Sequence, residues 1–239
     1  MTIPAGWSDP RALREGQYAT DANLVARQSI YAYQHPRTDL TAFVLDRAAL
    51  RGDETVADVG CGNGRYLTAL SGRGHRGLVV GVDLSVGMLR AAGAGPRVAG
   101  DAAAIPLRTG SVDVALALHM LYHVPDPAAA VRELRRVTRP GGRVLVVLNG
   151  ADHLRELHAL LGRHGPQRVD LDAGEALLTT EFGNVSREDV TTELDVPDAT
   201  AIEAYARSVQ ISPPALPPGP YRISTHTGVL VAVRRPARP

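Results

Sequence analysis

The chain of 239 residues has no lysine and a single cysteine. One thiol closes no internal disulfide, so stability must come from a packed core. That thiol, Cys61, lies inside a glycine-rich stretch where close packing asks for a small side chain, and it reads as structural rather than reactive. All 26 basic residues are arginine, set against 25 acids, for a formal charge of +1. So even a balance argues against a nucleic-acid partner, and the cluster Arg132, Arg135, Arg136 and Arg139 reads as a solvated helix face. No apolar run approaches the roughly twenty residues of a membrane-spanning helix. Residues 1–7 have neither the basic start nor the apolar centre of a signal peptide, so a cytoplasmic place without membrane contact is expected. Arginine without lysine, with abundant alanine, glycine, valine and proline, is the mark of a GC-rich coding sequence. There is no internal repeat.

What the sequence does have is 44% hydrophobic residues, enough to fill the core of one α/β domain with appendages. Residues 55–66 join a short apolar strand to a helix through Gly60, Gly62 and Gly64. A backbone that must approach a ligand needs residues without Cβ, and the helix behind it turns free N–H groups toward that ligand. The pattern Asp58-x-Gly60-x-Gly62-x-Gly64 lacks the two-residue gap of the dinucleotide signature G-x-G-x-x-G. Further short apolar runs follow: residues 78–82 ending in Asp83, residues 97–101 ending in Asp101, residues 112–118 ending before His119, and residues 142–148 entered through Arg139-Pro-Gly-Gly. Asp83 lies roughly twenty residues past the glycines, where a strand-end acid can grip a ribose.

Together these segments resemble motif I and the later strands of the class I S-adenosylmethionine (SAM)-dependent methyltransferases. The likeness spans about residues 55–148. It is nearest to the bacterial small-molecule group, methyltransferase type 11-like, which shares Leu-x-His-Val-Pro-Asp and Arg-Pro-Gly-Gly segments. The resemblance implies a Rossmann-like, doubly wound sheet of seven strands, five parallel and the last two forming an antiparallel C-terminal edge. It implies SAM as cofactor, held by Asp58, Gly60, Cys61, Gly62 and Gly64, by Asp83 with Leu84, by Asp101 with Ala102, where the acid takes the adenine amino group, and by Leu118.

Two appendages are expected to determine the substrate. Residues 1–53 are assigned as a helical lid, with Thr38 capping a helix that buries Leu40, Phe43, Val44 and Leu50. Within it Tyr31, Tyr33 and Arg37 collect beside Pro36 and are placed at the cofactor carboxylate or the substrate; ordinary helix packing is the other reading. Residues 54–239 form the SAM-binding domain, in which 150–184 is a substrate cover, with a helix over 151–164. Residues 189–196 alternate as a strand, 199–209 form a helix, 212–220 a stiff connector and 227–233 the closing strand. The fourth-strand loop supplies His119, Tyr122 and His123 as candidate bases, or as packing groups. His119 and His123 stand at i, i+4, but no acid lies between them and no metal is expected.

The expected activity is methyl transfer to a small metabolite, of secondary metabolism given the genome signature, by a monomer or homodimer with no nucleic-acid partner. RNA or protein methylation, a SAM-binding scaffold that catalyses a rearrangement or serves as a partner subunit, and an NAD dehydrogenase are the competing readings.

Overall fold

In the computed structural model, which describes residues 9–93, 95–162 and 168–236, the organising strand is Val56–Val59, buried at all four positions. A strand covered on both faces reads as a continuous apolar run with no alternation. The strands in chain order are β1 Gln34–His35, β2 Val56–Val59, β3 Val79–Asp83, β4 Arg97–Ala99, β5 Val112–Leu118, β6 Thr138–Asn149, β7 Val185–Val196 and β8 Tyr221–Val233. They form one sheet in the order β1-β7-β8-β6-β5-β2-β3-β4. Strands β4, β3, β2, β5 and β6 are parallel, while β8 runs antiparallel to both β6 and β7. The doubly wound plan is as expected, with one strand more: β1 pairs antiparallel with β7 outside the anticipated edge. Two residues before a proline carry too little periodicity to be read as a strand.

Helices cover both faces. They are α1 Pro10–Ala12, α2 Ala22–Ser29, α3 Leu40–Arg47, α4 Arg65–Gly72, α5 Val86–Ala91, α6 Pro127–Val137, α7 Arg155–Leu160, α8 Leu171–Phe182 and α9 Ala199–Ser208. On one face α6 and α8 bury Val131, Leu134, Leu171 and Leu178 against the sheet; on the other α3 and α4 bury Val44, Leu45 and Leu70. Helix α6 starts at an Asp-Pro pair, with the Asp126 carboxylate accepting from the Ala129 N–H at 2.9 Å and Pro127 in the first turn. Helix α3 is capped by Asp39 instead of Thr38, and Leu40, Phe43 and Leu50 lie at the margin of its core.

The region read as a cover divides in two. Leu171 and Leu178 are fully buried, so α8 is a layer of the sheet core, and within the described residues 151–162 the expected helix is α7. Residues 1–8 of the lid and residues 163–167 fall outside the described residues.

The long edge strands build a third core. β6 stops pairing at Asn149 opposite Thr227, yet β8 begins at Tyr221, so residues 221–226 overhang the sheet paired only with β7. On this overhang Ile223 and Leu194 pack with Ile30, Leu157 and Ile202. The N-terminal segment is thereby tied down: Ile30 is buried, and the Gln17 amide donates to the Ser208 carbonyl at 2.7 Å. Among the described residues no helix is long and apolar enough to cross a membrane.

Candidate active site

The winding of the sheet reverses between β2 and β5, and ligands of such sheets bind beyond the carboxyl ends of the strands at that point. A cavity of about 620 Å³ opens there. It is walled by the β2–α4 turn, the ends of β3 and β5, the 101–102 turn, the N-terminal segment and the β7–β8 overhang.

The glycines of the β2–α4 turn play different parts. Gly60 sits at φ +73°, and a Cβ there would come within 2.7 Å of the Met120 side chain. Gly62, at φ +55°, faces the cavity, where a Cβ would make only ordinary contacts with Leu24 and Met88. Gly64 does not line the cavity; it starts α4 at φ +78° and lies so close to Ala92 that a Cβ would fall 2.5 Å from that carbonyl oxygen. In this structure the close approach to Ala92 gives Gly64 a packing role. Cys61 is buried beside Gly81, and burial pushes its thiol up well beyond the ordinary range, consistent with an inert filler.

The acids bind their own backbone first. Asp83 accepts from the N–H groups of Gly62 and Ser85, each at 2.8 Å, and thus joins the ends of β2 and β3. Each of its oxygens retains a second lone pair for a ligand hydroxyl. Asp101 accepts from the Ala103 N–H at 2.8 Å, so its turn is fixed before any ligand arrives. Asp58 is different. Its Oδ2 is buried with no hydrogen-bond partner among the described residues, and desolvation together with the Asp83 charge pushes the carboxyl up to about 7. An orphaned buried carboxylate on a cavity wall fits a cationic ligand group. SAM carries an ammonium, and the acids and glycines present suit it. Leu84, Ala102 and Leu118 also line the cavity.

The fourth-strand loop delivers His119, Tyr122 and His123 to the same space. His119 holds a left-handed backbone, φ +57°, a conformation that persists in a β-strand's wake only where surrounding structure imposes it. Burial lowers its imidazole to about 4, so the ring is neutral at pH 7. Tyr122 is pushed up by burial, which keeps its phenol protonated and removes it as a base. His123 Nε2 lies 2.8 Å from the Tyr18 hydroxyl, with the two rings edge to face at 5.3 Å. Tyr18 is placed by Ser85, whose hydroxyl donates to the Tyr18 carbonyl at 2.6 Å.

Of the aromatic and basic groups assigned to the lid, Tyr31 lines the cavity and Arg37 does not. Pairing of Gln34 and His35 with β7 carries the chain away from the site, and the Arg37 guanidinium turns back to the Ala32 carbonyl at 3.2 Å. Tyr33 is likewise off the wall. Arginines that do line the cavity are Arg14, Arg168, Arg27, whose guanidinium lies 5.0 Å from the Tyr18 ring centre, and Arg65 in the first turn of α4. Tyr18, Arg27, Arg65 and His153 had no local signal beyond position in a helix or loop. Three of the four arginines of the basic cluster pair within the chain: Arg132 with Asp126, Arg136 with Glu133 and Arg139 with Asp113. Among the described residues no group of three or more histidines, cysteines or acids gathers as a metal site.

Five parallel strands whose glycine turn and strand-end acids surround a cavity at the switch point have the plan of a Rossmann-like fold. Residues 57–146 match the family model described as a methyltransferase domain. An uncharacterized methyltransferase of Mycobacterium tuberculosis is 33% identical over 194 residues, covering 77% of this chain and 79% of its own. A ubiquinone biosynthesis O-methyltransferase of Pseudomonas paraeruginosa is 32% identical over 145 residues, 57% of this chain and 62% of its own. A Haemonchus contortus phosphoethanolamine N-methyltransferase, solved with phosphomonomethylethanolamine and S-adenosylhomocysteine, shares the fold with TM-score 0.65 at 17% identity, over 96% of this chain and 60% of its own. The chain belongs to the class I SAM-dependent methyltransferases.

Proposed function

We propose that the enzyme binds SAM in the cavity at the β2–β5 switch point and transfers its methyl group to a small metabolite of secondary metabolism. The observation that carries this reading is the buried Asp58 carboxyl beside the Gly60–Gly62 turn, whose Oδ2 has no hydrogen-bond partner among the described residues. The cavity volume falls within the roughly 300–1,000 Å³ of small-molecule sites. Its enclosure between the N-terminal segment and the β7–β8 overhang favours a metabolite over a polymer, and the similarity to a ubiquinone biosynthesis O-methyltransferase points the same way.

Bound SAM supplies an electrophilic methyl group on a sulfonium leaving group. The protein's part is alignment: Asp83 and Asp101 hold the ribose and adenine, Asp58 the ammonium, and Arg65 or Arg27 the carboxylate, while the aromatic wall excludes water. Holding the nucleophile in a near-attack arrangement contributes on the order of 7–11 kcal/mol. Where the acceptor carries a proton, His123 is the candidate base, since Tyr122 stays protonated and His119 is weakly basic. Calorimetry with SAM and with NAD tests the cofactor, and release of S-adenosylhomocysteine with candidate acceptors tests transfer. NAD binding as tight as SAM overturns the first claim; turnover without that coproduct replaces methyl transfer with a rearrangement.

A further inference from the structure

Where the cofactor acids lie at the ends of β2, β3 and the 101 turn, the opposite end of the cavity is formed by Tyr31, Asn149, His153 and Thr225. Two histidines there are wired together in a way that assigns their protons. The His153 ring is 3% exposed, and its Nδ1 lies 3.0 Å from the backbone N–H of His226. A backbone amide only donates, so Nδ1 holds a lone pair and the proton of the neutral ring is on Nε2. Burial and neighbouring histidines lower the ring to about 3, which keeps it neutral at physiological pH. His153 Nε2 therefore donates to the Tyr31 hydroxyl 3.0 Å away.

That direction leaves Tyr31 with its own proton to donate, and among the described residues its hydroxyl makes no other hydrogen bond. Burial raises the phenol far above its ordinary value, so it is a donor and not a phenolate. The arrangement is rigid. The His226 ring is clamped between Asp152 at 2.6 Å and Asp189 at 2.9 Å, and Gly150 packs against it so closely that a Cβ would lie 2.2 Å from the ring.

We propose that Tyr31, held by the positioning residue His153, contacts the methyl acceptor by donating a hydrogen bond to an oxygen of it, and so selects oxygen-bearing neutral or anionic metabolites over amines. The charge distribution agrees. The carboxylates lining the cavity among the described residues are Asp58, Asp83 and Asp101, all on the cofactor side, whereas Arg27 and Arg168 face it from the N-terminal and post-α7 segments. An ammonium at the Tyr31 end would meet a donor and no anion.

This rests on the methyltransferase reading of the cavity, and the test separates the two. Benzoate and benzylamine, alike in shape and opposite in charge, are titrated calorimetrically into the protein with and without S-adenosylhomocysteine. Benzoate should bind more tightly than benzylamine, and Tyr31→Phe should weaken benzoate by about tenfold while S-adenosylhomocysteine affinity is retained. His153→Leu should reproduce that loss. His153→Gln, which keeps both an acceptor for the His226 N–H and a donor for Tyr31, should restore benzoate binding. If Tyr31→Phe fails to melt cooperatively, the His153 pair decides the matter. Benzylamine binding as well as benzoate, no binding of either, or equal losses in His153→Gln and His153→Leu would each overturn the proposal. Failure of S-adenosylhomocysteine to bind the wild-type protein refutes the cofactor reading instead, and the titrations on the free protein still judge Tyr31.

Discussion

Replacing Asp58 with asparagine should stabilise the free protein and cripple its hold on SAM, with opposite pH dependences. The carboxyl is 1% exposed, its Oδ2 has no partner among the described residues, and burial with the Asp83 charge raises it to about 7 from an ordinary 3.8. A folded-state value above the unfolded one means that the folded protein prefers the protonated acid. Stability is therefore full below about pH 4, declines as the pH rises, and reaches its deficit above about 7. At 1.36 kcal/mol per unit the deficit is on the order of 4 kcal/mol. Urea unfolding of Asp58→Asn against wild type should show the variant more stable by up to that amount near pH 8, with the gap closing toward pH 4. Binding reverses the sign, because a cationic ligand group needs the carboxylate ionised. Wild-type SAM affinity should rise by up to about tenfold per unit between pH 5 and 7 and then level off, whereas Asp58→Asn should bind weakly with little slope over the same range. A SAM affinity independent of pH from 5 to 7 in the wild type, or a variant less stable than wild type at pH 8, would refute the assignment of Asp58 as the cation's partner.

Gly64→Ala should lose more stability than Gly62→Ala, because its Cβ meets the Ala92 backbone whereas Gly62 incurs mainly its positive φ, about 1 kcal/mol; equal losses in urea unfolding would contradict this. Gly62→Ala should in turn carry the larger loss of SAM affinity. His123→Ala should lower turnover by roughly 10²-fold with a proton-bearing acceptor while leaving SAM affinity nearly intact, and unchanged kcat would make the ring a wall of the pocket. Arg37→Ala should alter neither SAM affinity nor turnover, since the guanidinium lies on the Ala32 carbonyl; a weaker SAM titration would sink that placement.

The parallel half of the fold was legible because its signals are local. Four apolar runs ending in Asp83, Asp101, His119 and the glycines set strand ends at one edge, and Asp126-Pro127 marked the start of α6. The structure departs from the sequence pattern where a segment's partner is distant. Leu178 is buried because the sheet face supplies its core, and Asp39 takes the place of Thr38 as the cap through the backbone path into α3. Residues 34 and 35 are a strand solely because β7 offers an edge.

By itself the sequence determined the switch-point half of the cavity: the Gly60 and Gly62 turn, the acids at the strand ends and the order in which they appear, all consequences of short-range geometry that repeats with strand and helix period. Tertiary structure alone decided the other half. Tyr18 meets His123 across 105 residues and Tyr31 meets His153 across 122, contacts that exist because β7 and β8 run past the end of β6 and give the N-terminal helix a core to pack on. Hydrogen-bond direction, the Asp58 ionisation and the exclusion of Arg37 follow from that packing, since burial and the nearest donor set them, and neither is a property of residues adjacent in the chain.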